Sequence, residues 1–191
     1  TTWRDSPGFW LCTSGTTGMP KLAMHTHGDI VDTVETYAQN VLAINAEDRF
    51  FSVGPMFHAY GLGNSLTFPL AVGATSILEP TRPPTPALVA DIVDAEKPTL
   101  FFCIPTFYAA LTNSELADDA FASVRLAVSA AEALPAETFT RFKQRFGVTI
   151  LDGNRSKKET KSLCSETKIV SEQAMYDGVG ETRMMGLGKR G

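Results

Sequence analysis

The feature that most constrains the fold of this chain is an alternation. Through residues 1–153, short and largely apolar runs take turns with segments of helical period. Residues 8–13, 49–53, 74–78, 99–104, 124–129 and 148–151 are the apolar runs. Runs of this length without a polar alternation are what strands buried on both faces look like. Residues 22–26 are expected to pair with 8–13 across a tight loop. Between these lie the helical segments. Residues 29–42 place Ile30, Val34, Tyr37, Ala38, Val41 and Leu42 on one face. Residues 62–72 read as a helix in which Pro69 is a difficulty. Residues 85–96 open on Thr85-Pro86, a cap and first-turn pair. Residues 105–112 and 135–146 complete the series. Strand and helix in this order predict an α/β fold, with a mostly parallel sheet flanked by helices.

Composition divides the chain near residue 153. All 12 Phe, both Trp and all 11 Pro lie within residues 1–153. Residues 154–191 would hold about five of them if the types were mixed. That tail carries 8 of the 17 Lys and Arg but 5 of the 21 Asp and Glu, so it is net +3 against −7 for the body. Two units are expected: 1–153, a packed globular piece, and 154–191, a divergent and weakly ordered tail. The overall charge of −4 argues against a dedicated nucleic-acid binder. No apolar run has the length of a membrane span. The first residues show neither Met nor a signal-peptide pattern, and the chain reads as the interior of a larger protein. Cys12, Cys103 and Cys164 are widely spaced and odd in number, which fits reduced thiols and a cytoplasmic location.

The sharpest chemical signal is Thr13-Ser14-Gly15-Thr16-Thr17-Gly18-Met19-Pro20-Lys21, directly after the first strand. Glycines let backbone N–H groups turn toward an anion. Hydroxyls add donors, and Lys21 adds a compact positive charge for phosphate oxygens. Gly15 and Lys21 are spaced as in a common P-loop, but Pro20 and Leu22 replace its second Gly and its Mg²⁺-binding hydroxyl. An ordinary P-loop NTPase is therefore not expected, and a phosphate-gripping loop of another kind is.

The same loop resembles the signature of the adenylate-forming (AMP-binding) superfamily, which includes acyl- and aryl-CoA ligases, peptide-synthetase adenylation domains and luciferases. Further motifs follow in the family's order: His25-Thr26-His27, then Pro55-Met56-Phe57-His58-Ala59-Tyr60-Gly61-Leu62-Gly63-Asn64, then Ser129-Ala130-Ala131-Glu132-Ala133-Leu134-Pro135, then Ile150-Leu151-Asp152-Gly153. Their wording is most similar to benzoate- and hydroxybenzoate-CoA ligases. The resemblance implies ATP-dependent activation of a carboxylic acid, aromatic and benzoate-like, to an acyl-adenylate, followed by transfer to coenzyme A. It implies that Thr13, Ser14, Gly15, Thr16, Thr17, Gly18 and Lys21 hold the phosphates of ATP, with Mg²⁺ assisting. It implies that Ala131, Glu132, Ala133, Asp152 and Gly153 form the adenine side, and that His58, Ala59, Tyr60 and Gly61 face the acid. The family often has Gly where this chain has Ala131, so a methyl is expected to crowd that side.

After Gly153 the resemblance stops. Asn154-Arg155-Ser156-Lys157-Lys158-Glu159 stands where the family continues with a Gly-rich loop. The expectation is an incomplete ligase, truncated or frameshifted, whose alternative roles are a non-catalytic nucleotide-binding module or a folded remnant. A sheet edge left exposed by truncation is expected to be covered either by the tail or by a second copy of the chain, the latter giving a homo-oligomer. A metal site built from His25, His27 and His58 is less favoured than helix-start or packing roles. Gly186-Leu187-Gly188-Lys189-Arg190-Gly191 matches the dinucleotide fingerprint but has no helix after it. Phe101, Phe102, Phe107, Tyr108 and Cys103 are expected in the core.

Overall fold

The computed structural model describes residues 1–13, 21–81 and 83–153. Ser14, Gly15, Thr16, Thr17 and Gly18, expected to grip phosphate, the expected tail 154–191 and the fingerprint at its end lie outside the described residues.

Five strands form a parallel sheet in the order β4-β3-β5-β6-β7. They are β3 (Arg49–Ser52), β4 (Thr75–Ile77), β5 (Leu100–Cys103), β6 (Leu126–Ser129) and β7 (Ile150–Asp152). A separate antiparallel pair precedes them: β1 (Pro7–Thr13) and β2 (Lys21–Thr26). The helices are α1 (His27–Thr33), α2 (Ala59–Leu62), α3 (Phe68–Val72), α4 (Pro86–Glu96), α5 (Pro105–Thr112) and α6 (Ala136–Phe146). The sheet is the α/β architecture expected, with the β1–β2 hairpin as its antiparallel exception.

The near-continuous apolar character of the strands has a direct cause. Neighbouring residues of a strand point to opposite faces, and both faces of this sheet are covered. Phe51, Phe101, Cys103, Ala127 and Ile150 point into a core with Val89 and Val93 of α4, Tyr108 and Leu111 of α5, and Phe142 and Phe146 of α6. Phe50, Leu100, Phe102 and Val128 point the other way, against Val34, Tyr37 and Ala38, with Tyr60 and Phe68. Phe101, Phe102, Tyr108 and Cys103 are fully buried, and Phe107 packs at the edge of the first core. Burial pushes the Cys103 thiol far up, so it behaves as a small hydrophobe rather than a nucleophile.

Two helices differ from the periodicity reading. The segment expected at 29–42 begins at His27, where Thr26 and Asp29 form a capping box. It widens into a π-helical turn over Val34–Gln39 and ends there. Leu42 is nevertheless fully buried, because the chain turns back through Ala43 at φ 50°. Apolar spacing reported the buried face and overstated the helix. The segment expected at 62–72 begins earlier, at Ala59, and runs through a π-helical stretch, Gly63–Thr67, to Val72. Pro69 fits because the register has shifted. The Phe68 N–H bonds back to the Gly63 carbonyl, and the Ser76 hydroxyl donates at 2.6 Å to the Ser65 carbonyl that Pro69 cannot serve.

At the amino ends of the strands a charged network ties segments together. Asp48 is almost fully buried, and its carboxylate accepts from the Arg125 guanidinium at 2.7 and 2.9 Å and from the Thr99 hydroxyl at 2.6 Å. Burial alone raises its pKa. The hydrogen bonds from Arg125, Thr99 and the Asn45 N–H outweigh burial and hold the group below its usual value. This network occupies the end of the sheet away from the motifs that follow.

Candidate functional site

In a parallel α/β sheet, ligands bind beyond the carboxyl ends of the strands. Three of the sequence motifs leave strands there: residues 53–61 after β3, residues 130–135 after β6 and Gly153 after β7.

The connection after β3 turns sharply through Gly54-Pro55 into α2. The His58 N–H donates to the Pro55 carbonyl at 3.1 Å, and the Leu62 N–H donates to the His58 carbonyl at 2.8 Å. Gly61 sits against this turn. A Cβ there would lie 2.1 Å from the Pro55 oxygen and 2.9 Å from the Gly54 oxygen, so only Gly fits. Tyr60 points inward, and its hydroxyl donates to the Val128 carbonyl at 2.9 Å. Its ring edge meets Phe102. Tyr60 and Gly61 thus build the turn itself, a duty the motif alone does not disclose. Ala59 and Tyr60 line one recess with the hairpin, while the His58 ring is exposed beside Phe57.

The hairpin supplies the facing wall. Phe9 pairs with His25, Leu11 with Ala23, and Thr13 with Lys21, the two residues that flank 14–20 in sequence. Phe9, Leu11 and His25 face the recess, together with Ile30 of α1 and Leu62 of α2. The opposite face carries Trp10, Cys12 and Leu22, all exposed. His25 is held in place. Its Nδ1 lies 3.2 Å from an Asp29 carboxylate oxygen, and Phe9 stacks on its ring at 5.0 Å. Asp29 is buried and also accepts from the Thr26 N–H at 3.0 Å and the Thr26 hydroxyl at 2.7 Å. The sequence offers helix-start or packing roles for His25 and gives no role to Asp29, although Thr26 and Asp29 have capping-box spacing. Among the described residues no group of three or more His, Cys, Asp or Glu side chains comes together as a metal site.

On the other side, Ser129 pairs with Asp152, and the Gly153 N–H donates to the Ser129 carbonyl at 2.8 Å. This brings the ends of β6 and β7 side by side. Ala131, Glu132 and Ala133 follow, all exposed. Ala131 has φ 71°, the left-handed region that favours glycine. A Cβ costs about 1–2 kcal/mol there, and Gly loses roughly 0.5–1 kcal/mol more backbone entropy than Ala on folding. Ala131→Gly is therefore expected to stabilise the chain by roughly 0.5–1 kcal/mol in urea unfolding. An unchanged or lower midpoint would contradict the strain.

A parallel sheet covered on both faces and preceded by an antiparallel hairpin matches the α/β N-terminal domain of adenylate-forming enzymes. Residues 1–153 match the family described as AMP-binding enzyme, and the chain belongs to that family. It is 46% identical over 150 residues to the benzoate–CoA ligase of Thauera aromatica, covering 78% of this chain and 28% of that one. It is 40% identical over 154 residues to the 4-hydroxybenzoate–CoA/benzoate–CoA ligase of Rhodopseudomonas palustris, with the same two coverages. Among solved structures, it resembles a benzoate CoA ligase from Burkholderia xenovorans LB400 with a TM-score of 0.74 and 42% identity, over 81% of this chain and 31% of that one. An anthranilate CoA ligase in complex with anthranoyl-AMP gives a TM-score of 0.75 at 37% identity, over 80% and 30%. The chain thus spans 28% of the length of these two curated relatives. Among the described residues no helix is long and apolar enough to cross a membrane.

Proposed function

We propose that residues 1–153 are the part of an aryl-acid-activating domain that grips ATP and forms one wall of the acid site. In the proposed reaction, an aromatic, benzoate-like carboxylate attacks the α-phosphorus of ATP. The bond to the β-phosphate oxygen breaks and pyrophosphate leaves. The coenzyme A thiolate then attacks the acyl carbon and AMP departs. The observation that carries this reading is the family match across residues 1–153, laid on a sheet whose carboxyl ends bear the motif turns.

The roles follow the chemistry of each group. Lys21 and the hydroxyls and amides of Thr13, Ser14, Gly15, Thr16, Thr17 and Gly18 suit the charge that builds on the departing phosphates. Ala131, Glu132 and Ala133, beside Asp152 and Gly153, are assigned to the adenine side. Ala59 and Tyr60 are assigned to the acid, with Gly61 holding the turn and His58 at the rim. Mg²⁺ in such sites neutralises phosphate charge. Its ligands are assigned to the phosphates of the nucleotide and to waters, with few from the protein. The proposed location is the cytoplasm.

Equilibrium dialysis with labelled ATP tests the proposal. The chain is expected to bind ATP, and Lys21→Ala to weaken it at least about tenfold, the scale of a lost charge-assisted hydrogen bond. Benzoate-dependent pyrophosphate release by the 191-residue chain is expected near background. No ATP binding, or binding indifferent to Lys21, would sink the nucleotide assignment.

A further inference from the structure

One backbone oxygen near the carboxyl end of β6 is held from both faces of the sheet. The Tyr60 hydroxyl, from the core that α2 joins, donates to the Val128 carbonyl at 2.9 Å. The Tyr108 hydroxyl, from α5 in the opposite core, donates to the same oxygen at 2.9 Å and lies 3.3 Å from the Phe101 carbonyl. A carbonyl oxygen has two lone pairs and can take both hydroxyls. Both tyrosines are buried. They differ in what else they touch. Tyr60 lines the recess beside Ala59, whereas Tyr108 packs edge-on against Phe101 and Phe142.

The backbone just beyond this oxygen is held at a cost. Ser129 follows, and its buried hydroxyl has no hydrogen-bond partner among the described residues. Then comes Ala131, at φ 71°. An unpaired buried hydroxyl and a left-handed alanine both oppose the arrangement, and such strain persists only where the surroundings fix it. The fixings are the two tyrosine hydroxyls on Val128 and the Gly153 N–H on the Ser129 carbonyl at 2.8 Å. Of the residues that make them, Tyr60 alone also lines the recess.

We propose that Tyr60 is a positioning residue that couples the acid side of the site to the adenine side. Its ring is fixed by the acid, and its hydroxyl, through the Val128 carbonyl, fixes the turn 130–133. The inference rests on the reading above, in which Ala59 and Tyr60 are assigned to the acid and residues 131–133 to adenine. An acid packed on the Tyr60 ring orders that ring before the nucleotide arrives, so less of the turn is left for the nucleotide to order. By linkage each ligand tightens the other by the same factor. Acid and ATP must be held together before pyrophosphate can leave, and coupling favours that doubly filled state.

Equilibrium dialysis of the full chain against labelled ATP, with and without saturating benzoate, reads the coupling as a ratio of affinities. Benzoate is expected to tighten ATP binding at least about fivefold, the lower end of ordinary couplings. In Tyr60→Phe, which keeps the ring and removes the donor, the ratio is expected to fall within about twofold of one. Tyr108→Phe is the paired control. It removes a bond of the same length to the same oxygen from the other core, and is expected to lower the urea midpoint comparably while keeping the ratio. In the unsubstituted chain, benzoate alone is expected to move the carbonyl carbon resonance of Val128 in NMR. A ratio near one in the unsubstituted chain, a ratio that survives in Tyr60→Phe, or one lost equally in Tyr108→Phe overturns the coupling and leaves both assignments standing. So does an unmoved Val128 resonance, a measurement that needs no variant to fold. Failure of the chain to bind ATP, or to bind benzoate, overturns the functional reading and this inference with it.

Discussion

Phe121→Ala is expected to cost about 3–5 kcal/mol of folding stability, the range for truncating a buried aromatic. Phe121 is fully buried although it lies in the irregular stretch between α5 and β6. Its ring meets Phe101 of β5 at 5.2 Å, Phe142 at 5.4 Å and Phe146 at 5.0 Å, the last two from α6. Tilted and edge-on contacts of this kind add to the area they bury. Removing the ring opens a cavity at the junction of sheet, helix and loop, where three rigid partners leave little room to collapse. The loss is a large fraction of the 5–15 kcal/mol that holds an ordinary domain together. Phe121→Leu keeps most of the volume and is expected to cost less than about 1.5 kcal/mol. Urea unfolding of both variants checks the pair. A loss below about 1 kcal/mol for the Ala variant would mean that the ring is not a keystone of this core.

Phe121 also shows where reading the chain by pattern reaches its limit. Phe50 with Phe51, and Leu100 through Cys103, are legible because a strand buried on both faces needs apolar residues at every position. Thr85-Pro86 is legible because cap and ring constraint are local, and the Thr85 hydroxyl does accept from the Leu88 N–H at 3.2 Å. Phe121 belongs to no period, since a loop that folds inward has none. Pro69 looked like a breaker because its remedy, the Ser76 hydroxyl, lies on the following strand. The site divides in the same way. Ala131 stood out as a residue type, and its strain became visible only as a backbone angle. The Asp29–His25 pair combines a helix cap with a strand residue, and local sequence marks only the cap.

Gly61→Ala is expected to cost at least about 3 kcal/mol, at or beyond the upper end of overpacking penalties. Sign makes the case. In an unobstructed helix, Gly to Ala stabilises by about 0.5–1 kcal/mol, because Ala loses less backbone entropy and has the higher propensity. Here the new methyl would stand 2.1 Å from the Pro55 oxygen and 2.5 Å from its carbonyl carbon. Both are backbone atoms, and proline limits how that turn can yield. The helix must therefore lift away from β3. Lifting it strains the Tyr60 hydroxyl bond to the Val128 carbonyl, and it moves Ala59 out of the recess wall. Stability should fall, and with it acid binding under the proposed acid site, which a surface change would not produce. Gly54→Ala is the neighbouring control, since its Cβ would meet the Tyr60 ring at 3.5 Å and the Ser52 hydroxyl at 3.6 Å, ordinary contact distances. It is expected to change stability by less than about 1 kcal/mol. Equal losses for the two variants, or a gain for Gly61→Ala, would show that the close approach of α2 to the Gly54-Pro55 turn does not hold this wall in place.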